Sequence, residues 1–244
     1  MQWMIQNHKR GLPMILGDEM GLGKTLQTIS LLAHLKESHG YQGPSLIVVP
    51  LSVLYSWGNE IQLHAPSLTH FRLHSTENER DAVLKELNDR FLEYDIVVTT
   101  YDMLKTASVK NFLRGLYFHY LVLDEGHAIK NSSSQISEAV RRVHCQNKLV
   151  LTGTPLQNNL VELYAILNFL CPDIFTESSY FESAFDIGKG MIDSEMLLKA
   201  NKVLGVFMLR RLKEEVEKLM PKKIETKVST CARLLHPAYV LNCE

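Results

Sequence analysis

Leu16-Gly17-Asp18-Glu19-Met20-Gly21-Leu22-Gly23-Lys24-Thr25 is the stretch whose reading decides the fold. It follows a short apolar run, Pro13–Gly17, with the character of a buried strand. It opens a helical pattern, Thr25–Leu35, that sets Leu26, Ile29, Leu32 and Leu35 on one face. A glycine-rich turn between a strand and a helix is the setting of a phosphate-binding loop. Gly21 and Gly23 permit the tight turn that makes several backbone N–H groups converge on one anion, and the helix behind them aims its own first N–H groups at the same point. Lys24 is placed to reach the β- and γ-phosphates, and Thr25 to ligate Mg²⁺. The strict pattern G-x-x-x-x-G-K-[ST] would have glycine where this chain has Asp18. Taken alone, the turn also fits a structural strand–helix junction with an exposed lysine.

A second segment supplies the complementary half of a nucleotide site. Tyr120-Leu121-Val122-Leu123-Asp124-Glu125-Gly126-His127 is an apolar run ending in two carboxylates. Asp124 suits a magnesium ion held through water, because Mg²⁺ keeps much of its hydration shell. Glu125 suits orientation or deprotonation of an attacking water. His127 is placed to sense the nucleotide state. An acidic strand end by itself is as often a solvated turn; the phosphate loop upstream on the same expected sheet is what gives it weight. His64, His70 and His74 lack the spacing of a metal site.

Further strands are expected at Leu46–Val49, Asp95–Val98 and Lys148–Leu151, and further helices at Asp81–Phe91, Gln135–Val143 and Leu160–Leu170. Strands alternating with helices predict an α/β fold, a parallel sheet covered by helices on both faces with ligands at the carboxyl-terminal rim. After Pro172 helical patterns dominate, from about Ser178 to Leu219, and a helical extension is expected.

The 244 residues carry a formal net charge of -1, so composition lends no support to nucleic-acid binding, and any such site has to be a local patch or a shared cleft. No apolar run reaches the roughly 18–20 residues needed to span a bilayer, and no signal peptide is read, so an intracellular protein with no membrane partner is expected. Cys145, Cys171, Cys231 and Cys243 form no C-x-x-C pair and are expected to be reduced, structural thiols.

Together these residues resemble the Snf-type (Swi/Snf, imitation-switch-like) chromatin-remodelling ATPases of helicase superfamily two. Asp18-Glu19-Met20-Gly21-Leu22-Gly23-Lys24-Thr25 is similar to the phosphate loop of that family, in which an acidic residue at position 18 is expected. Asp124-Glu125-Gly126-His127 resembles its Asp-Glu-x-His box, where alanine is commoner than glycine at the third position. Val48-Val49-Pro50-Leu51-Ser52 through Trp57, and Val98-Thr99-Thr100-Tyr101, resemble its DNA-backbone motifs, which makes Pro50, Ser52, Thr99 and Thr100 candidate DNA contacts. From the residues alone, Ser52, Thr99 and Thr100 fit helix and turn caps better. Leu151-Thr152-Gly153-Thr154-Pro155-Leu156-Gln157-Asn158 resembles the motif coupling ATP state to DNA, which makes His127, Thr152, Gly153 and Thr154 coupling candidates. Phe207-Met208-Leu209-Arg210-Arg211 resembles the segment near the end of the first lobe, although Arg210 and Arg211 also fit solvated charges on a helix.

The resemblance covers roughly residues 1–228 and implies a RecA-like helicase ATP-binding lobe at 1–172, a helical extension of it at 173–228 and a divergent, poorly ordered tail at 229–244. It implies ATP and Mg²⁺ as cofactors, DNA-dependent ATP hydrolysis that drives translocation on double-stranded DNA to remodel nucleosomes, nucleosomes as partners and a nuclear location. Such motors use a second RecA-like lobe, which is expected to be absent from this chain, as is the glutamine element upstream of the phosphate loop; a fragment is therefore expected. The alternative is a catalytically silent module that binds nucleotide, DNA or a partner. A P-loop kinase or transporter ATPase is disfavoured, because neither an acceptor-substrate site nor a transporter signature is present.

Overall fold

The computed structural model describes residues 1–40, 43–131, 134–153, 160–176 and 204–216. Strands β1 (Met14–Leu16), β2 (Ser45–Val49), β3 (His70–Leu73), β4 (Ile96–Thr100), β5 (Tyr117–Leu123), β6 (His144–Leu151) and β7 (Met208–Leu209) form one sheet in the order β3-β4-β2-β5-β6-β1-β7. Every pairing is parallel. Parallel neighbours need crossover connections over a sheet face, so both faces become covered.

The strand sequences show how this is done. Successive side chains point to opposite faces. Leu46 and Val48 of β2, Val97 of β4, Leu121 and Leu123 of β5, Ile15 of β1 and Val150 of β6 enter one core. There they meet helices α4 (Arg80–Asp89), α5 (Tyr101–Lys105), α6 (Ala107–Arg114), α7 (Gln135–Arg141) and α8 (Leu160–Leu170). Ile47 and Val49, Ile96 and Val98, Tyr120 and Val122, Met14 and Leu16, and Leu149 and Leu151 enter the other core, against α1 (Gln2–Lys9), α2 (Lys24–His39) and α3 (Leu54–His64). All of these strand residues are 0–1% exposed, and each such side chain contributes about 1.5–3 kcal/mol by leaving water. A strand buried on both faces has no polar alternation, which is why these segments read as unbroken apolar runs.

Two strands depart from expectation. β3 is an edge strand, His70-Phe71-Arg72-Leu73, in which only Leu73 is buried, so it lacks an apolar run. Met208–Leu209 was expected to be helical, yet it pairs with β1 through Ile15 and Leu16 and closes the sheet. Two residues carry no periodicity of their own; the open edge of β1 supplies the hydrogen bonds. The expected helical extension is otherwise described only at 173–176, 204–207 and 210–216, the last including the short helix Lys213–Val216. Among the described residues no helix is long and apolar enough to cross a membrane. Cys145 and Cys171 are free thiols, and Cys231 and Cys243 lie outside the described residues.

Because all strands run the same way, the carboxyl ends of β1, β6, β5, β2 and β4 share one rim. β6 lies between β1 and β5, so the segment after β6 separates the phosphate loop from Asp124.

Candidate active site

The loop from Gly17 to Gly23 leaves β1 and enters α2 at Lys24. Gly21 and Gly23 are left-handed, with φ of 89° and 73°, a conformation that a Cβ would strain. The Lys24 ammonium donates to the carbonyl of Asp18 at 2.9 Å and lies 3.5 Å from that of Glu19. Lys24 is therefore folded over its own loop. A Cβ built on Gly153 would stand 2.7 Å from Met20 Cγ and 3.4 Å from Lys24 Nζ, so the segment after β6 rests directly on the loop.

The loop is anchored by a strap formed by β7 and the residues after it. Gly17 N–H donates to Leu209 O at 2.8 Å and Glu19 N–H to Arg211 O at 3.1 Å. Asp18 is fully buried. Its carboxylate accepts from Arg211 N–H at 3.0 Å, from Arg211 Nε at 3.1 Å and from Gln27 Nε2 at 3.2 Å, and it also pairs with Arg211 Nη2. The buried carboxylate holds the Arg211 guanidinium above the usual arginine range through that hydrogen bond. Arg211 is thus a loop anchor, a correction to its reading as a solvated helix charge. Two residues on, Lys213 N–H donates to Glu19 Oε2 at 2.8 Å, and the Lys213 ammonium stands 3.2 Å from where a Cβ on Gly21 would be. The loop therefore presents two ammonium groups, Lys24 and Lys213, a setting suited to a polyphosphate.

Across β6, Asp124 leaves the end of β5. Its N–H donates to Val48 O at 2.9 Å, which continues the sheet ladder by one bond. Its Oδ2 accepts the Trp57 indole N–H at 2.9 Å and its Oδ1 accepts Glu125 N–H at 3.0 Å. Its backbone carbonyl accepts the Tyr101 hydroxyl at 2.7 Å. Burial pushes the Asp124 carboxyl up; the Trp57 bond opposes that, Glu125 adds to it, and Lys24 is close enough to lower it slightly. Burial, then the Asp124 and Glu125 charges, push the Tyr101 phenol above its usual range, so it stays a donor. Glu125 is in the left-handed region, φ 51° and ψ 59°, sparsely populated for a residue with a side chain. This kink turns the chain at the rim, where the Glu125 side chain is 29% exposed, and His127 Nδ1 lies 3.4 Å from Glu125 Oε2.

The remaining candidates divide. Thr152 is buried, and its N–H donates to Leu16 O at 3.1 Å, joining the segment after β6 to β1. Thr25 is the second residue of α2. Thr154 lies outside the described residues. Ser52 is exposed in the 3-10 turn Leu51–Val53 that follows Pro50. Thr99 and Thr100 are buried: the Thr99 hydroxyl donates to Leu73 O at 2.9 Å and the Thr100 hydroxyl accepts Met103 N–H at the start of α5. Their hydroxyls serve internal structure, as the residues alone favoured, and a phosphate contact from those side chains is not what this structure presents. Trp57, Tyr101, Gln27 and Arg211 are site residues that went unassigned. Asp18 was the available signal, since an acid held beside a buried strand needs a donor set.

The sequence matches the family described as SNF2-related domain over residues 1–232. The chain belongs to that family. Among its relatives, the human SWI/SNF-related matrix-associated actin-dependent regulator of chromatin subfamily A member 1 is 43% identical over 230 residues, covering 93% of this chain and 22% of that protein. The ISWI chromatin-remodeling complex ATPase ISW2 of Saccharomyces cerevisiae is 42% identical over 231 residues, covering 93% of this chain and 20% of that protein. The chain thus spans about a fifth of the length of these relatives. The solved Sulfolobus solfataricus SWI2/SNF2 ATPase core in complex with dsDNA superposes with a TM-score of 0.76 at 32% identity, covering 90% of this chain and 45% of that one. The SNF2-type lobe described here therefore has the RecA-like fold of that ATPase core.

Proposed function

We propose that this chain is the ATP-binding lobe of a DNA-dependent ATPase that translocates on double-stranded DNA to remodel nucleosomes in the nucleus. The observation that carries this is the placement of the phosphate loop on β1 and Asp124-Glu125 on β5 at one rim, in a chain of the SNF2 family. The donor set fits Mg·ATP: left-handed glycines that turn N–H groups inward, an ammonium at the loop, and a mostly buried carboxylate opposite. Bound Mg·ATP supplies the phosphoryl group and the charge that neutralises it. Residues Asp18–Thr25 would cradle the phosphates through the loop backbone, with Lys24 available to the phosphate oxygens. Thr25 and Asp124 would hold the metal. Glu125 takes a proton from the attacking water. His127, Thr152, Gly153 and Thr154 relay the outcome, because Gly153 lies so close to the loop that a Cβ there would meet both Met20 and Lys24. Ser52 and Pro50, at the exposed turn, face the DNA backbone. Residues 1–172 form the lobe and 173–228 its extension, followed by a divergent tail at 229–244. A partner RecA-like lobe supplies the arginines that stabilise the transition state, worth about 10³–10⁵ in rate in related NTPases.

A second reading, a module that binds nucleotide, DNA or a partner without efficient turnover, draws on Lys24 being folded onto Asp18 O and Glu125 lying beside His127. ATP hydrolysis and nucleotide binding by the chain, with and without duplex DNA, separate the two, with Lys24→Ala as control. Duplex-stimulated turnover lost in the variant supports the motor lobe. Lys24-dependent binding without turnover supports the silent module. Nucleotide binding unchanged by Lys24→Ala would sink the motor lobe, and robust turnover by the chain would sink the silent module.

A further inference from the structure

The two segments that resemble DNA-backbone motifs both end on one residue. The first runs from the exposed turn Leu51–Val53 into α3, whose buried face is Leu54, Trp57 and Ile61. On the solvent side Leu51 is 52% and Tyr55 58% exposed. Trp57 is only 1% exposed, and its indole N–H donates to Asp124 Oδ2 at 2.9 Å, across 67 residues of sequence. The second segment runs from β4 into α5, whose first residue, Tyr101, donates its hydroxyl to the Asp124 carbonyl at 2.7 Å. One bond grips the side chain and the other the backbone of the same residue.

An indole has a single donor and no acceptor. It can therefore hold a carboxylate oxygen in place without competing for a cation. With Glu125 N–H on Oδ1, each oxygen of Asp124 has one fixed donor, and the remaining lone pairs are left for a metal-bound water. Partners outside a ligand set typically govern metal affinity about 10–100-fold through such orientation. α3 is also a rigid lever: displacement of its exposed N-terminal turn moves Trp57 with it.

We propose that Trp57 is a positioning residue for Asp124 and that, with Tyr101, it makes metal occupancy at β5 responsive to duplex DNA bound along the rim. This rests on the Mg·ATP reading above. Thermodynamic reciprocity then requires that the metal-loaded nucleotide also tighten DNA binding.

The test uses the chain with ADP and Mg²⁺ as the probe. Trp57→Phe keeps an aromatic ring in the core and removes the donor. It is expected to raise the Mg²⁺ concentration for half-maximal ADP binding by about tenfold, with ADP affinity in EDTA unchanged. Duplex DNA is expected to lower that Mg²⁺ requirement in the wild-type chain and leave it unmoved in Trp57→Phe. The chain has two tryptophans, so in Trp3→Phe the emission of Trp57 alone is expected to change with Mg²⁺ at fixed ADP; this measurement, and Tyr101→Phe, stand independently of whether Trp57→Phe folds. ADP binding with an unaltered Mg²⁺ requirement in the variant, or Trp57 emission indifferent to Mg²⁺, overturns the positioning role. An equal DNA response in both chains overturns the coupling. Failure of the wild-type chain to bind ADP at any Mg²⁺ concentration overturns the Mg·ATP reading and this inference with it.

Discussion

Gly126→Ala tests how tightly the Asp-Glu-x-His segment is packed. A Cβ at 126 would stand 2.2 Å from Val150 Cγ1, with Leu151 O at 3.5 Å and Ile166 Cδ1 at 3.7 Å on other sides. Carbon atoms settle at about 3.5–4.0 Å, so about 1.3 Å has to be found. Val150 is fully buried in β6, with Ile15 of β1 and Leu123 of β5 as its register partners, and cannot retreat freely. Overpacking of this kind costs about 1–3 kcal/mol. Gly126 is not left-handed, so alanine recovers about 0.4–1 kcal/mol from the unfolded chain. The expected net loss is about 1–2 kcal/mol, read as a lower urea midpoint with unchanged slope. In a Val150→Ala background the same substitution should cost almost nothing, giving a coupling of about 1–2 kcal/mol. A Gly126→Ala chain that unfolds at the wild-type urea concentration, or zero coupling with Val150→Ala, would refute the packing argument.

Arg211→Ala leaves the buried Asp18 carboxylate with Gln27 and one backbone N–H. Breaking a fully buried pair costs about 3–5 kcal/mol; with the Arg211 side chain 38% exposed, a loss on the order of 2 kcal/mol is expected. Urea unfolding measures it, and an unchanged midpoint contradicts the anchoring role. His70 is held below its ordinary pKa of 6.5, by burial first and then by Arg72. The unfolded chain therefore binds this proton more readily, and stability should drop as pH falls through 6.5, levelling once folded His70 protonates. His70→Gln should flatten that part of the profile between pH 7.5 and 5; an identical slope in both chains rules the contribution out. Gly21→Ala, at φ 89° and against the Lys213 ammonium, should weaken ADP binding measured by calorimetry by more than it lowers the melting temperature; equal ADP affinity would show that the loop tolerates a Cβ there.

The strand core was legible, and the two segments proposed as a nucleotide site stood out, because their causes are local. Leu46–Val49 and Tyr120–Leu123 are apolar without alternation, as burial on both faces demands, and Gly21, Gly23 and Lys24 announce a tight turn at a helix start. β3 was not legible, because an edge strand with Leu73 alone buried has no run to detect. At Thr99 and Thr100 the residues read alone favoured caps, and the last two positions of β4 are both enclosed, with the hydroxyls bonded inward.

By itself, then, the sequence determined the class of fold, the glycine-rich strand–helix turn and the acidic strand end, since each follows from side-chain period and residue type within a few positions. Only the tertiary structure decided what holds them. Arg211 reaches Asp18 across 193 residues and Trp57 reaches Asp124 across 67. No periodicity records such a bond; it exists because closing a parallel sheet brings distant strand ends to one rim, where a buried carboxylate must find a donor.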